Sequence, residues 1–182
     1  LTVSYLDLHQ FFYMFQIHGL KMVHADPHPG NFMVDSENNL IAIDFGCIKQ
    51  IPDDFYTPYF SLTDRNNLDN ADYFNERLLE LEILQEKDTD KERKFFSEMF
   101  YEMFAMFSTP YQSEVFDFTD KEFWDNLSQL SEKYSKDPEL RRMNGNRGSR
   151  HFLYMSRTFF GLYNLLHDLK AKVEVNKFRG LL

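Results

Sequence analysis

The chain has 182 residues, 43% of them hydrophobic, and a formal net charge of -9 with a single cysteine. That length and composition suffice for a buried core and read most simply as one domain, while the acidic balance argues against nucleic acid as a partner. Cys47 alone makes neither an intramolecular disulfide nor a cysteine-rich zinc site, so a cytoplasmic or other reducing compartment is expected. No apolar run approaches the roughly 20 residues needed to span a bilayer.

In chain order, "SYLDLHQFFYMFQIHGL" spaces Leu8, Phe11, Phe12 and Phe15 as one face of a helix. Ser4 with Asp7 suits its start, and Gly19 its end. Two prolines keep the following "KMVHADPHPGN" out of a helix and predict a loop. The short apolar runs "FMV" and "LIAI" flank the turn-forming "DSENN", predicting a β-hairpin with Phe32–Val34 paired to Ile41–Ile43. Beyond about residue 50 the pattern predicts helix throughout, over 53–61, 69–86, 90–107, 120–135 and 149–169. The string "TDKE" occurs twice, and Thr89 with Glu92 and Thr119 with Glu122 have capping-box spacing. With 20 Phe and 10 Tyr, these helices are expected to pack aromatic faces into a core. "FFYMF" and "FFSEMFYEMFAMF" also offer membrane-facing surface, but Glu98 and Glu102 favour ordinary amphipathic helices.

The expected hairpin register extends to Asn31 opposite Asp44. Directly opposed residues of an antiparallel pair hold their Cβ atoms about 4.5–5.5 Å apart. An amide oxygen and a carboxylate at that distance can share magnesium, a hard cation that takes oxygen ligands and keeps several waters. Asp26 precedes Asn31 by five positions, the Asp-x4-Asn spacing of a kinase-type catalytic loop. There one carboxylate stays by the attacking hydroxyl while the asparagine and a later aspartate hold metal. Gly46, after Asp44, is read as permitting a sharp turn. Asp26 is thus the candidate catalytic residue, with Asn31 and Asp44 the candidate metal and nucleotide ligands. His24 and His28 lack a further set with zinc-ligand spacing. His24 is expected to pack beneath the loop and His28 to bond its backbone.

"VHADPHPGNFMV" followed by "LIAIDFGCIKQIPDDF", and the late "FLYMSRTFFGLYNLLHDLKAKV", resemble the UbiB (AarF-related) family of atypical protein-kinase-like proteins. The resemblance implies a mostly helical α+β fold, that of a kinase-like C-terminal lobe with a small metal-carrying hairpin. It also implies ATP and magnesium as cofactors, kinase or ATPase activity, and a link to ubiquinone or isoprenoid-lipid metabolism, with a lipid or membrane surface as a candidate partner. The family's ATP-contacting lysine, alanine-rich nucleotide loop and lysine–glycine–glutamine motif are not found in the sequence. Residues 1–182 are therefore expected to be a C-lobe cut from a longer chain. Alone, this lobe is expected to bind ATP weakly, to be inactive, and to self-associate through the face its N-terminal lobe would cover. Alternatives are a small-molecule kinase of the aminoglycoside or choline type, and a non-catalytic helical scaffold with vestigial motifs. Arg141, Arg142, Arg147 and Arg150 suggest a phosphate or anionic-lipid contact, against the plainer reading of a solvated basic loop.

Overall fold

The structure is a computed structural model that describes residues 12–37, 39–138, 140 and 147–175. The chain is mostly helical with three small two-stranded sheets, and it divides into two compact units. The first comprises 1–52, 110–119 and 151–182, and the second comprises 53–109 and 120–150.

In the first unit, a helical turn at 12–14 runs into a π-type turn, Phe15–Gly19. Ser4, Asp7, Leu8 and Phe11 lie outside the described residues. Gly19 ends the turn, but the left-handed residue is Lys21, with φ 51°. Strand β1, Met22–His24, then pairs antiparallel with β4, Ile48–Gln50. Neither strand was expected, because three residues are too few to show alternation. Long-range bonds hold them: Ile51 donates its N–H to Lys21 O at 2.8 Å, and His24 donates its own to Gln16 Oε1 at 2.9 Å.

Between them lies the hairpin of β2, Phe32–Val34, and β3, Leu40–Ala42. Its register is one residue tighter than expected, Phe32 facing Ala42 and Val34 facing Leu40. Asp35 is the cause. Its carboxylate accepts N–H bonds from Glu37 at 2.8 Å and Asn39 at 2.9 Å, and its own N–H reaches Asn39 O at 3.2 Å. The Asn39 side-chain bond comes first among the causes holding the Asp35 carboxyl below the usual range. The turn therefore closes at Asn39, and Leu40 begins the return strand.

The expectation of helix throughout after residue 50 also fails at the third sheet, where β5, Val115–Asp117, pairs with β6, Lys172–Glu174. Phe118 and Tyr163 meet beside it at 5.4 Å between ring centroids, and both are fully buried. The long helix of this unit, Arg150–Asp168, buries Met155, Phe159, Leu162 and Leu166 along one face.

The second unit is helical: α1 Asp53–Ser61, α2 Arg65–Asp69, α3 Ala71–Glu80, α4 Asp90–Ser108 and α5 Lys121–Ser135. We label the Arg150–Asp168 helix α6. The expected helix over 69–86 is shorter at both ends. Asn70 turns its side chain to accept the Tyr73 N–H, starting α3 afresh, and beyond Glu80 the left-handed Glu82, φ 60°, delivers Leu81, Ile83 and Leu84 into the core. Thr89 and Glu92 form the expected capping box. Thr119 does not cap. Its N–H and hydroxyl go to Asp117, and Asp120 accepts the Glu122 N–H at the start of α5 instead. Phe96, Phe100 and Phe104 of α4 are buried, while Glu102 pairs with Lys133 at 2.7 Å. No helix among the described residues is long and apolar enough to cross a membrane.

Arg147 is neither solvated nor presented to a ligand. It is buried, with Nη1 straddling both Asp88 oxygens at 2.6 and 2.7 Å and the guanidinium 4.3 Å above the Phe96 ring. Arg141 and Arg142 lie outside the described residues.

Candidate phosphoryl-transfer site

The loops that carry the predicted residues are fastened at both ends. At one end Ala25 donates its N–H to Cys47 O at 3.0 Å, extending the β1–β4 ladder. At the other, Ile43 donates to Asn31 O at 2.9 Å, extending the hairpin. Between these rungs, residues 26–30 run on one side and 44–46 on the other. Asp26 and Asp44 are thereby confined to two short facing loops of the first unit, and Asn31 sits on the closing rung.

Within the first loop, Asn31 donates its amide N–H2 to Asp26 Oδ2 at 3.0 Å and to Asp26 backbone O at 3.1 Å. His28 fixes the approach. Its Nδ1 accepts the Gly30 N–H at 3.0 Å, and its carbonyl accepts the Asn31 N–H at 3.0 Å, making a 3-10 turn, Pro29–Asn31, that presents Asn31 to Asp26. His24 is buried beneath the loop, its ring edge-on to Phe32, and neither ring nitrogen has a partner among the described residues.

Asn31 does not face Asp44 as expected. The tighter register sets Asn31 against Ile43. A one-residue slip turns every side chain to the other face of a regular strand. Here, however, β3 ends at Ala42, and a local turn shapes the Asp44 segment: Asp44 Oδ1 accepts the Gly46 N–H at 2.7 Å. Gly46 has no positive φ. Its service is spatial, since a Cβ there would lie 3.2 Å from Asp44 Oδ1.

These bonds leave a specific set of atoms uncommitted. Among the described residues, Asp26 Oδ1, Asn31 Oδ1 and Asp44 Oδ2 have no hydrogen-bond partner. The Asn31 nitrogen is used up on Asp26, so its oxygen is the end left for a ligand. Oxygen-only donors of this kind suit a hard cation that retains waters; among the described residues no group of three or more His, Cys, Asp or Glu could hold a metal ion by itself. The residues present fit magnesium better than zinc.

Two contributors escaped the sequence reading. Tyr13 is wholly buried, and burial followed by the nearby Asp26 charge pushes its hydroxyl far above the ordinary phenol range. Gly161 of α6 touches the catalytic-type loop itself, because a Cβ on it would stand 2.2 Å from Pro27 Cγ. The signal was present in "FFGLYN": glycine inside a helical pattern is costly and often marks close backbone approach. Apolar side chains flank Asp44 in the open, with Ile43 and Phe45 53% and 59% exposed.

The model of the ABC1 atypical kinase-like domain matches residues 6–76, the stretch holding Asp26, Asn31 and Asp44. The chain is similar to atypical kinase-like proteins over that stretch. No curated protein matches the chain.

Proposed function

We propose that this chain contributes the base and metal ligands of an ATP-dependent, magnesium-requiring phosphotransferase or ATPase of the UbiB type. One observation carries the reading. The Asp26–Asn31 hydrogen bond joins the first and last residues of an Asp-x4-Asn loop and leaves one oxygen of each uncommitted, opposite the loop bearing Asp44.

Asp26 Oδ2 is held by the Asn31 amide, and Oδ1 accepts the proton of the attacking hydroxyl. Asn31 Oδ1 and Asp44 Oδ2 would hold magnesium, which would neutralise charge on the ATP phosphates. Phosphoryl transfer is mostly positioning and charge neutralisation, so fastening both loops by ladder rungs is itself catalytic investment.

Further readings rest on the UbiB resemblance. They are a link to ubiquinone or isoprenoid-lipid metabolism, a seat in a reducing compartment or at a membrane surface, and an N-terminal lobe as partner. The exposed Ile43 and Phe45 would meet that lobe or a second copy.

The test is Asp44→Asn. The amide keeps the shape and removes the charge, so magnesium-dependent ATP turnover should fall at least about a hundredfold with thermal stability retained. Turnover equal to wild type in a folded Asp44→Asn protein would remove Asp44 from the mechanism.

A further inference from the structure

A cleft of about 360 Å3 opens beside Asp26, and everything that lines it belongs to the first unit. One wall is the loop Ala25–Pro29; the other is a stripe of α6 that includes Arg157, Phe160, Gly161, Asn164 and Asp168. Those positions recur at helical spacing and so share a face. The volume lies in the range of small-molecule sites, and the lining sets apolar Ala25, Phe160 and Leu165 beside polar Asp26, His28, Arg157, Asn164 and Asp168.

Three features define what it would hold. Arg157 is the one arginine or lysine of a lining that also carries the Asp26 and Asp168 carboxylates, and it makes no ion pair with either among the described residues. Phe160 is 49% exposed, offering an uncovered ring. Asn164 spends its N–H2 on Phe160 O at 2.7 Å, which leaves its oxygen as acceptor. Gly161, where Pro27 touches the helix, is one turn beyond Arg157, a rise of about 6 Å. A ligand with its anionic group on Arg157 therefore places a hydroxyl near the Asp26 loop only if the two groups lie within roughly that distance.

We infer that this cleft is the acceptor site, selecting a small hydroxyl compound that carries a carboxylate or phosphate group for Arg157 and an apolar body for Phe160. The inference rests on the phosphotransferase reading. In the step it serves, the acceptor hydroxyl oxygen bonds to the γ-phosphorus of ATP and its proton passes to Asp26. The bond from that phosphorus to the β–γ bridging oxygen breaks, and ADP leaves with the electron pair.

The experiment needs no turnover and so separates the two claims. The 182-residue chain is titrated with phenyl phosphate, benzoate and benzyl alcohol while backbone amide signals are followed by NMR. At least one anionic probe should shift the amides of 25–31 and 157–168 saturably and bind about tenfold or more tighter than benzyl alcohol. Arg157→Gln should erase that preference and leave benzyl alcohol binding unchanged. A response to phenyl phosphate alone assigns a phosphate monoester, to benzoate alone a carboxylate, and to both an anion of either kind. Equal binding of charged and neutral probes, shifts that map elsewhere, or an anion preference that survives Arg157→Gln would overturn the acceptor assignment. Each of those results leaves the Asp44→Asn test of the phosphotransferase reading untouched.

Discussion

The two units hold their polar groups in opposite ways. In the helical unit Arg147 on Asp88 is a buried, engaged pair: Nη1 reaches both Asp88 oxygens, Gln85 donates its N–H to the same carboxylate at 2.7 Å, and Phe96 lies against the guanidinium. Burial alone would raise the Asp88 carboxyl, but hydrogen bonds from Arg147 and Gln85 and the Arg147 charge outweigh it and hold the group below the usual range. In the first unit the notable polar atoms are those left open: Asp26 Oδ1, Asn31 Oδ1 and Asp44 Oδ2. A group fully engaged within the fold serves stability, whereas an oxygen without a protein partner is left to solvent or to a ligand. The difference distinguishes Arg147 from Arg157, two arginines that the sequence alone cannot rank.

Breaking the satisfied pair should have the largest effect. Asp88→Ala strands the Arg147 guanidinium in a site where its side chain is 7% exposed, and it should cost about 3–5 kcal/mol by urea denaturation. Asp88→Ala with Arg147→Met should recover much of that. A loss below about 1 kcal/mol for the single change would mean that the pair is effectively solvated.

The first unit should instead show its character in pH dependence. His18 is buried, and burial followed by the Lys21 charge lowers its pKa to about 4. From an unfolded value near 6.5, the unfolded chain binds the extra proton between those limits. Stability is therefore full above about pH 6.5, falls with pH through the window, and levels near pH 4. The loss is about 2 kcal/mol by pH 5. Carboxylates with lowered values, such as Asp117 at about 2, contribute only at lower pH. Urea midpoints at pH 7, 6 and 5 should decline in wild type and stay flat in His18→Gln. Parallel slopes would discard the assignment.

Gly161→Ala tests whether α6 seats the Asp26 loop. Alanine favours a helix by about 1 kcal/mol, but the added methyl collides with Pro27. Displacement of a catalytic group by about 1 Å costs on the order of a hundredfold in rate. The variant should lose about that much ATP turnover, and Pro27→Ala in the same chain should restore part of it. If the double variant is no better than the single, the Gly161–Pro27 contact is not the cause.

The smallest effect belongs to a feature legible in the sequence. Thr89→Ala removes the cap of α4 and should cost about 1 kcal/mol, seen as a lowered melting temperature with turnover unchanged. Thr119→Ala should cost less, because Asp120 does the capping in that second copy.

Features that depend on near neighbours in the chain are legible in the residues alone. Helices α4, α5 and α6 follow from their period, α4 also from its capping box, and the hairpin from its turn residues. Each is settled within a few residues, where side-chain periodicity and capping chemistry act. Tertiary structure decided the rest. Strands β1, β4, β5 and β6 are three residues each and exist only because distant partners complete their ladders. The hairpin register turned on the competition of one carboxylate, Asp35, for two backbone N–H groups. Identical "TDKE" strings diverged because Asp117 sits near one of them. Likewise Arg147 is engaged and Arg157 open because the energy of a charged group depends on what surrounds it, and those surroundings are assembled from residues tens of positions away.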